Sequence, residues 1–162
     1  MRSDMVRAYV ESLLERLTGI DKAVPDHDGD YPVRYRDALY YVRLIGEKDP
    51  VVQVFATAVA DIEATPELLS RLNDVNSQIR FARVFWVRGQ VLVESDLVGQ
   101  SLDGAEFDSA CTAVATITDH FAPLIAEEFG GRTAFADEKD DAAKDATPAE
   151  KLPDTAKTGL YL

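Results

Sequence analysis

Apolar residues recur at helical spacing through Val6, Tyr9, Val10, Leu13, Leu14 and Leu17, which predicts one amphipathic helix. Ser3 or Asp4 serves as its cap and Gly19 as its stop. The stretch from Asp21 to Asp30 is turn-rich and acidic. The period then changes to two: Tyr31, Val33 and Tyr35 alternate with Pro32, Arg34 and Arg36, and apolar runs follow at Leu39 to Ile45 and Val51 to Val59. Gly46-Glu47-Lys48-Asp49-Pro50 separates the last two runs, so three strands with short connections are predicted, an antiparallel meander.

Thr65-Pro66-Glu67 opens a second helix, with Thr65 capping and Pro66 at the first turn, where its missing N–H is not needed. Leu68, Leu69, Leu72 and Val75 form its apolar stripe. Ile79 to Val87 and Gln90 to Val98 then read as a hairpin about Arg88-Gly89. Asp103 with Glu106 resembles a capping box and starts a third helix. That helix carries Phe107, Cys111, Val114, Ile117, Phe121, Leu124 and Ile125 and ends at Gly130-Gly131; Pro123 is expected to bend its last turns. The order is α-β-β-β-α-β-β-α, an α+β fold with helices packed on an antiparallel sheet. Residues 1–131 make the domain. Arg132 to Thr158 is mostly Ala, Asp, Glu, Lys, Thr and Pro and reads as a flexible tail, so residues 132–162 form a polar extension with an apolar end, Leu160-Tyr161-Leu162.

The hairpin divides its side chains between two faces. With a two-residue turn, Ala82, Val84 and Trp86 share a face with Val91, Val93 and Ser95, which reads as core. The other face pairs Phe85 with Leu92, Arg83 with Glu94 and Phe81 with Asp96. Large apolar groups mixed with an ion pair are unusual on a purely solvated surface, so this face is expected to touch a partner. Phe81, Arg83, Phe85, Leu92 and Glu94 are the candidate partner-binding residues of the body, and Leu160, Tyr161 and Leu162 those of the extension.

Composition narrows the partner. With 162 residues, 46% of them hydrophobic, the chain can bury a core without staples. Its net charge of -12 repels nucleic-acid phosphates and anionic lipid and suits solubility, or a basic protein or peptide partner. A single cysteine, Cys111, precludes an internal disulfide and fits a reducing compartment. The amino-terminal segment lacks the apolar run of a signal peptide, and no apolar stretch is long enough for a membrane span, so a cytoplasmic location is expected.

Catalytic and metal motifs were sought among the same residues. Asp26-His27-Asp28-Gly29-Asp30 presents alternate acidic groups, yet Tyr31 stands where a calcium loop needs glycine and Asp37 where it needs glutamate. It reads as a solvated acidic turn. His27, His120 and Cys111 fit no zinc spacing, and Cys111 falls on the apolar stripe of the third helix as a small buried hydrophobe. There is no phosphate loop, nucleophile elbow or dinucleotide fingerprint, so no cofactor and no enzymatic activity are expected. Asn73 and Asn76 lie on one side of the second helix; Asn76 and Ser77 are expected to satisfy backbone groups at its end.

The run Leu72-Asn73-Asp74-Val75-Asn76, then Phe81-Ala82-Arg83-Val84-Phe85-Trp86 and Val91-Leu92-Val93-Glu94-Ser95-Asp96-Leu97, resembles the YbjN family, which is similar in fold to type III secretion chaperones. The resemblance covers about residues 1–131. It implies a non-enzymatic, chaperone-like or regulatory module, a homodimer that holds an extended segment of a protein or peptide client. A second reading is a small-ligand-sensing domain, or an enzyme with an unsigned carboxylate site. A pocket lined by convergent polar groups would favour the second reading, and a shallow exposed apolar groove the first.

Overall fold

The computed structural model describes residues 3–136. Its elements follow the expected order: α1 (Ser3–Thr18), β1 (Tyr31–Tyr35), β2 (Ala38–Ile45), β3 (Val51–Ala60), α2 (Pro66–Gln78), β4 (Arg83–Val87), β5 (Gln90–Val98), a short 3-10 turn and α3 (Gly104–Phe129). The five strands form one antiparallel sheet in the order β1-β2-β3-β5-β4. The hairpin therefore joins the meander through β5, which runs beside β3 for almost its whole length, and short β4 is left at the edge.

One face of the sheet is the core. Tyr31, Val33, Tyr40, Val42, Val52, Val54, Ala56, Val84, Val91 and Val93 point into it and are buried, as the two-residue strand period requires. A bulge between Thr57 and Val59 turns two successive residues, Ala58 and Val59, inward together. Helix α3 lies over β3, β5 and β2. Asp103 caps it, its carboxylate accepting the Ala105 and Glu106 N–H groups at 2.8 and 3.3 Å. Every residue from Ala110 to Thr118 is buried, which fits a central helix rich in Ala and Thr that has neighbours on more than one side. The helix continues through exposed Pro123 to Phe129.

Helix α1 presents Val6, Val10, Leu13, Leu14 and Leu17 to this core. It is tied to β1 by Tyr31, whose hydroxyl donates to Glu11 at 2.6 Å and accepts from Arg7 at 3.2 Å. Helix α2, capped by Thr65 as its sequence predicts, packs beside β4 through its stripe of Leu68, Leu72 and Val75. Leu69, expected in that stripe, is instead 48% exposed: it lies one residue round the helix from Leu68 and faces away.

Beyond α3 the described chain stays on the body. Arg132 and Ala60 exchange two backbone hydrogen bonds of 2.8 Å, and the Arg132 guanidinium pairs with Asp61. Glycine is required at the return, because Gly131 has φ 91 and a Cβ there would come within 2.7 Å of the Ala60 carbonyl. Phe135 then lies under the Arg34 guanidinium, 3.8 Å from its ring centre.

Candidate functional site

Among the described residues, no helix covers the opposite face of the sheet. Alternation along five paired strands sets its side chains in rows. One row runs Pro32, Tyr41, Phe55, Glu94, Arg83, and the next includes Leu92 and Phe85 beside Thr57. A third sets Arg43 beside Gln53 and Asp96. The hairpin pairs expected from the sequence, Arg83 with Glu94 and Phe85 with Leu92, stand in the predicted register. Arg88 and Gly89 both have positive φ, 48 and 80 degrees, the backbone of a tight hairpin turn matched to strand twist.

Aromatic rings and guanidinium groups interlock on this face. Tyr41 and Phe55 stack at 5.4 Å between ring centres, and Arg43 lies over Phe55 at 4.6 Å. Arg83 lies over Phe85 at 5.3 Å while pairing with Glu94 and, at 3.2 Å, with Asp96. Arg43 is gripped by both oxygens of buried Asp30, at 2.7 and 2.5 Å. These hydrogen bonds to carboxylates raise both guanidinium pKa values above their ordinary range, so each cation is permanent and held in place. Burial, with Asp26 and Asp30 nearby, raises the Tyr41 phenol as well. The result is a preorganised surface of flat apolar area and fixed charge, in which Tyr41, Phe55, Phe85 and Leu92 are half-buried. Ordering such side chains beforehand removes part of the entropy cost of binding.

The sheet's two edges are protected differently. On β4, Val84 turns its backbone away from β5, and the Asn76 side chain takes both groups: Nδ2 donates to the Val84 carbonyl at 2.7 Å and Oδ1 accepts the Val84 N–H at 2.8 Å. Asn76 acts as one residue of an added strand. This corrects the expectation that it serves the end of its own helix; Ser77 does that, donating to the Asp74 carbonyl at 2.6 Å. On the β1 edge, Pro32 removes one donor. Trp86, on the inner side, is half-buried and donates its indole N–H to the Ile62 carbonyl at 2.8 Å, tying the hairpin tip to the loop after β3.

Phe81 stands apart from the other candidates. β4 begins at Arg83 and not at Ile79, and Phe81, with φ 63, lies outside the ladder, so the expected cross-strand pair with Asp96 does not form. Its ring is 61% exposed and rims a half-open groove of about 580 Å³ between the end of β5 and the first turns of α3. Arg83, Phe85, Leu92 and Glu94 are brought together on the sheet face. Leu160, Tyr161 and Leu162 lie outside the described residues. Tyr41, Arg43 and Phe55 belong to the same face and were missed. Arg43 and Gln53 are the signals that could have found them, since each marks the outward parity of a strand apolar on both sides.

The other chemistry-bearing groups have structural occupations. Asp26, His27 and Asp28 bring ligand atoms within 4.8 Å of one another, but an Asp26 oxygen already accepts the Asp28 and Asp30 N–H groups at 2.9 and 3.0 Å, and His27 and Asp28 are exposed. Cys111 is fully buried, and burial drives its thiol pKa far upward, which leaves no thiolate for nucleophilic work. Among the described residues, no helix is long and apolar enough to cross a membrane.

A five-stranded antiparallel sheet with three helices packed against it, in this element order, makes the fold of the type III secretion chaperones. The chain belongs to the TY-Chap1 family of T3SS (YopN, CesT) and YbjN peptide-binding chaperones, whose model matches residues 4–137. It is a protein- or peptide-binding module, as the family description states. Among solved structures it is similar to a chain of the ExsC-ExsE complex, with 14% identity over 73% of this chain and 94% of that one and a TM-score of 0.56, a likeness of fold. It also matches a structure of the Yersinia pestis type III secretion chaperone SycH in complex with a stable fragment of YscM2, at 19% identity, 67% and 96% coverage and a TM-score of 0.49. No curated protein sequence matches the chain.

Proposed function

We propose that the open sheet face holds an extended segment of a client protein, and that the chain works as a homodimer in the cytoplasm with no catalytic step. The carrying observation is the face itself: Tyr41, Phe55, Phe85 and Leu92 lie on the side of the sheet opposite the core, among arginines fixed by Asp30, Glu94 and Asp96. Tight aromatic and arginine clusters are the residue types that dominate binding energy at protein interfaces. The small-ligand reading asks for an enclosed pocket of convergent polar groups, whereas the groove beside α3 is half-open and mostly apolar. That favours a peptide.

The test is photo-cross-linking from benzoylphenylalanine placed at Phe85 and, as a control on a helix surface, at Leu69. The reading expects adducts to one extended client segment from position 85 and none from position 69. Equal labelling from both positions, or none from 85, contradicts it. Light scattering at high micromolar concentration checks the homodimer, and a monomer there rejects it. Leu160, Tyr161 and Leu162 are proposed as an internal competitor for the client surface. Deleting residues 159–162 then raises affinity for the cross-linked segment; unchanged affinity makes this end passive.

A further inference from the structure

The groove between β5 and α3 is an exposed apolar feature that the sheet face does not absorb. Phe81 and Val98, 61% and 66% exposed, stand at its rim, with Leu97 and Ala105 among its lining. Phe81 reaches that position on a left-handed backbone, φ 63, which a bulky side chain rarely adopts. Asp96 and Glu106 also line the groove, and Lys and Arg are absent from its described lining. No described cation pairs with Glu106. Asp96 sits at the junction of the two surfaces: it receives Arg83 at 3.2 Å and the Gln53 amide at 3.3 Å on the sheet face, and it also lines the groove. The open face thus carries its own cations beside its carboxylates. The groove carries only carboxylates, in a chain of net charge -12.

We propose that this groove is a second client subsite, which takes an Arg or Lys side chain together with a neighbouring apolar residue. The proposal rests on the client-binding reading above and deepens it by naming the chemistry that the client presents beyond the sheet face. The apolar residue packs on Leu97, Val98 and Ala105. The cation lies beside Glu106, with Asp96 adding to the field, since the single guanidinium of Arg83 is shared between Glu94 and Asp96. An apolar client residue alone would leave Glu106 without a counter-charge, and charge complementarity selects against it.

Two fluorescein-labelled dodecapeptides of alternating Leu and Ser, one with two central Arg residues and one with citrulline in their place, test this by anisotropy against the full chain. Citrulline keeps the shape and removes the charge. The wild type is expected to favour the Arg peptide by about two- to fivefold, the range of an exposed charge pair. Glu106→Gln is expected to erase most of that preference, and 0.5 M salt to reduce it. Ala105→Leu, which fills the groove, weakens both peptides. Circular dichroism confirms that each variant keeps its helices, Asp103 still capping α3. Equal affinity for the two peptides, or a preference that survives in both Glu106→Gln and Asp96→Asn, overturns the subsite, as does failure of the wild type to bind the Arg peptide. If binding without charge preference is lost in Leu92→Asp, the client reading stands and only the groove assignment falls. If position 85 yields no client adduct while the Arg preference holds, the reverse is true.

Discussion

The two faces of the sheet are built on the same strands and differ in what finishes them. The inner face is Val, Ala and Tyr, closed by α1 and α3, with Val54, Val91 and Val93 wholly buried. The outer face alternates with it residue by residue: Phe55 beside Val54, Leu92 beside Val91 and Val93, Glu94 beside Val93. It substitutes rings, guanidinium groups and carboxylates that pair with one another, with no described helix over them. The inner face gains its free energy from removing apolar area from water. The outer face retains area to bury, with its charges already positioned. The contrast separates a stability surface from the proposed binding surface within one set of five strands, and substitutions on opposite faces can break it.

The largest effect is expected from Val54→Asp. It places a carboxylate at the centre of the inner face, where no partner exists, and should cost roughly 4 kcal/mol or more. Urea denaturation followed by circular dichroism measures it; a loss under about 1 kcal/mol would mean that the faces are assigned the wrong way round. Alkaline pH should act next. Burial raises the Tyr40 phenol well above its ordinary value of 10.0, and Tyr31 and Tyr41 are raised as well. A raised folded pKa stabilises fully below the unfolded value and loses that contribution as pH rises through the folded one. Stability measured by thermal melts is therefore expected to fall above about pH 10, with Tyr40→Phe flattening the dependence. A smaller loss, about 1–2 kcal/mol, should follow Asn76→Ala, which strips the partner from both backbone groups of Val84. Hydrogen exchange at the Val84 amide should speed up accordingly.

Much of this contrast was legible in the residues and part of it was not. The hairpin register was readable because a two-residue turn at Arg88-Gly89 leaves one pairing, and from it the opposite orientations of Val84 and Phe85. Helix caps at Thr65 and Asp103 were equally readable, since capping is local chemistry. The partner of the hairpin was not, because β4 and β5 share the same alternation. What separates them is length: nine-residue β5 matches ten-residue β3, and five-residue β4 goes to the edge. The departure of the backbone at Phe81 had no signal either, as a positive φ on Phe follows from tertiary context and leaves no composition mark. The outer parity of β2 was obscured because Leu39, Tyr40, Tyr41 and Val42 are apolar on both faces, with Arg43 the sole marker in that strand. Asn76 looked like a helix-end residue because its spacing within α2 says nothing of a strand that arrives beside it.

The most direct test of a binding face set apart from a stability face is a paired measurement on two neighbours in β5, Leu92→Asp and Val93→Asp. Each variant is assayed by urea midpoint and by photo-cross-linking from position 85. Leu92→Asp is expected to lower stability by less than about 1 kcal/mol while abolishing the client adduct, and Val93→Asp to unfold the domain. Comparable destabilisation by both, or an undiminished adduct in Leu92→Asp, would contradict the account.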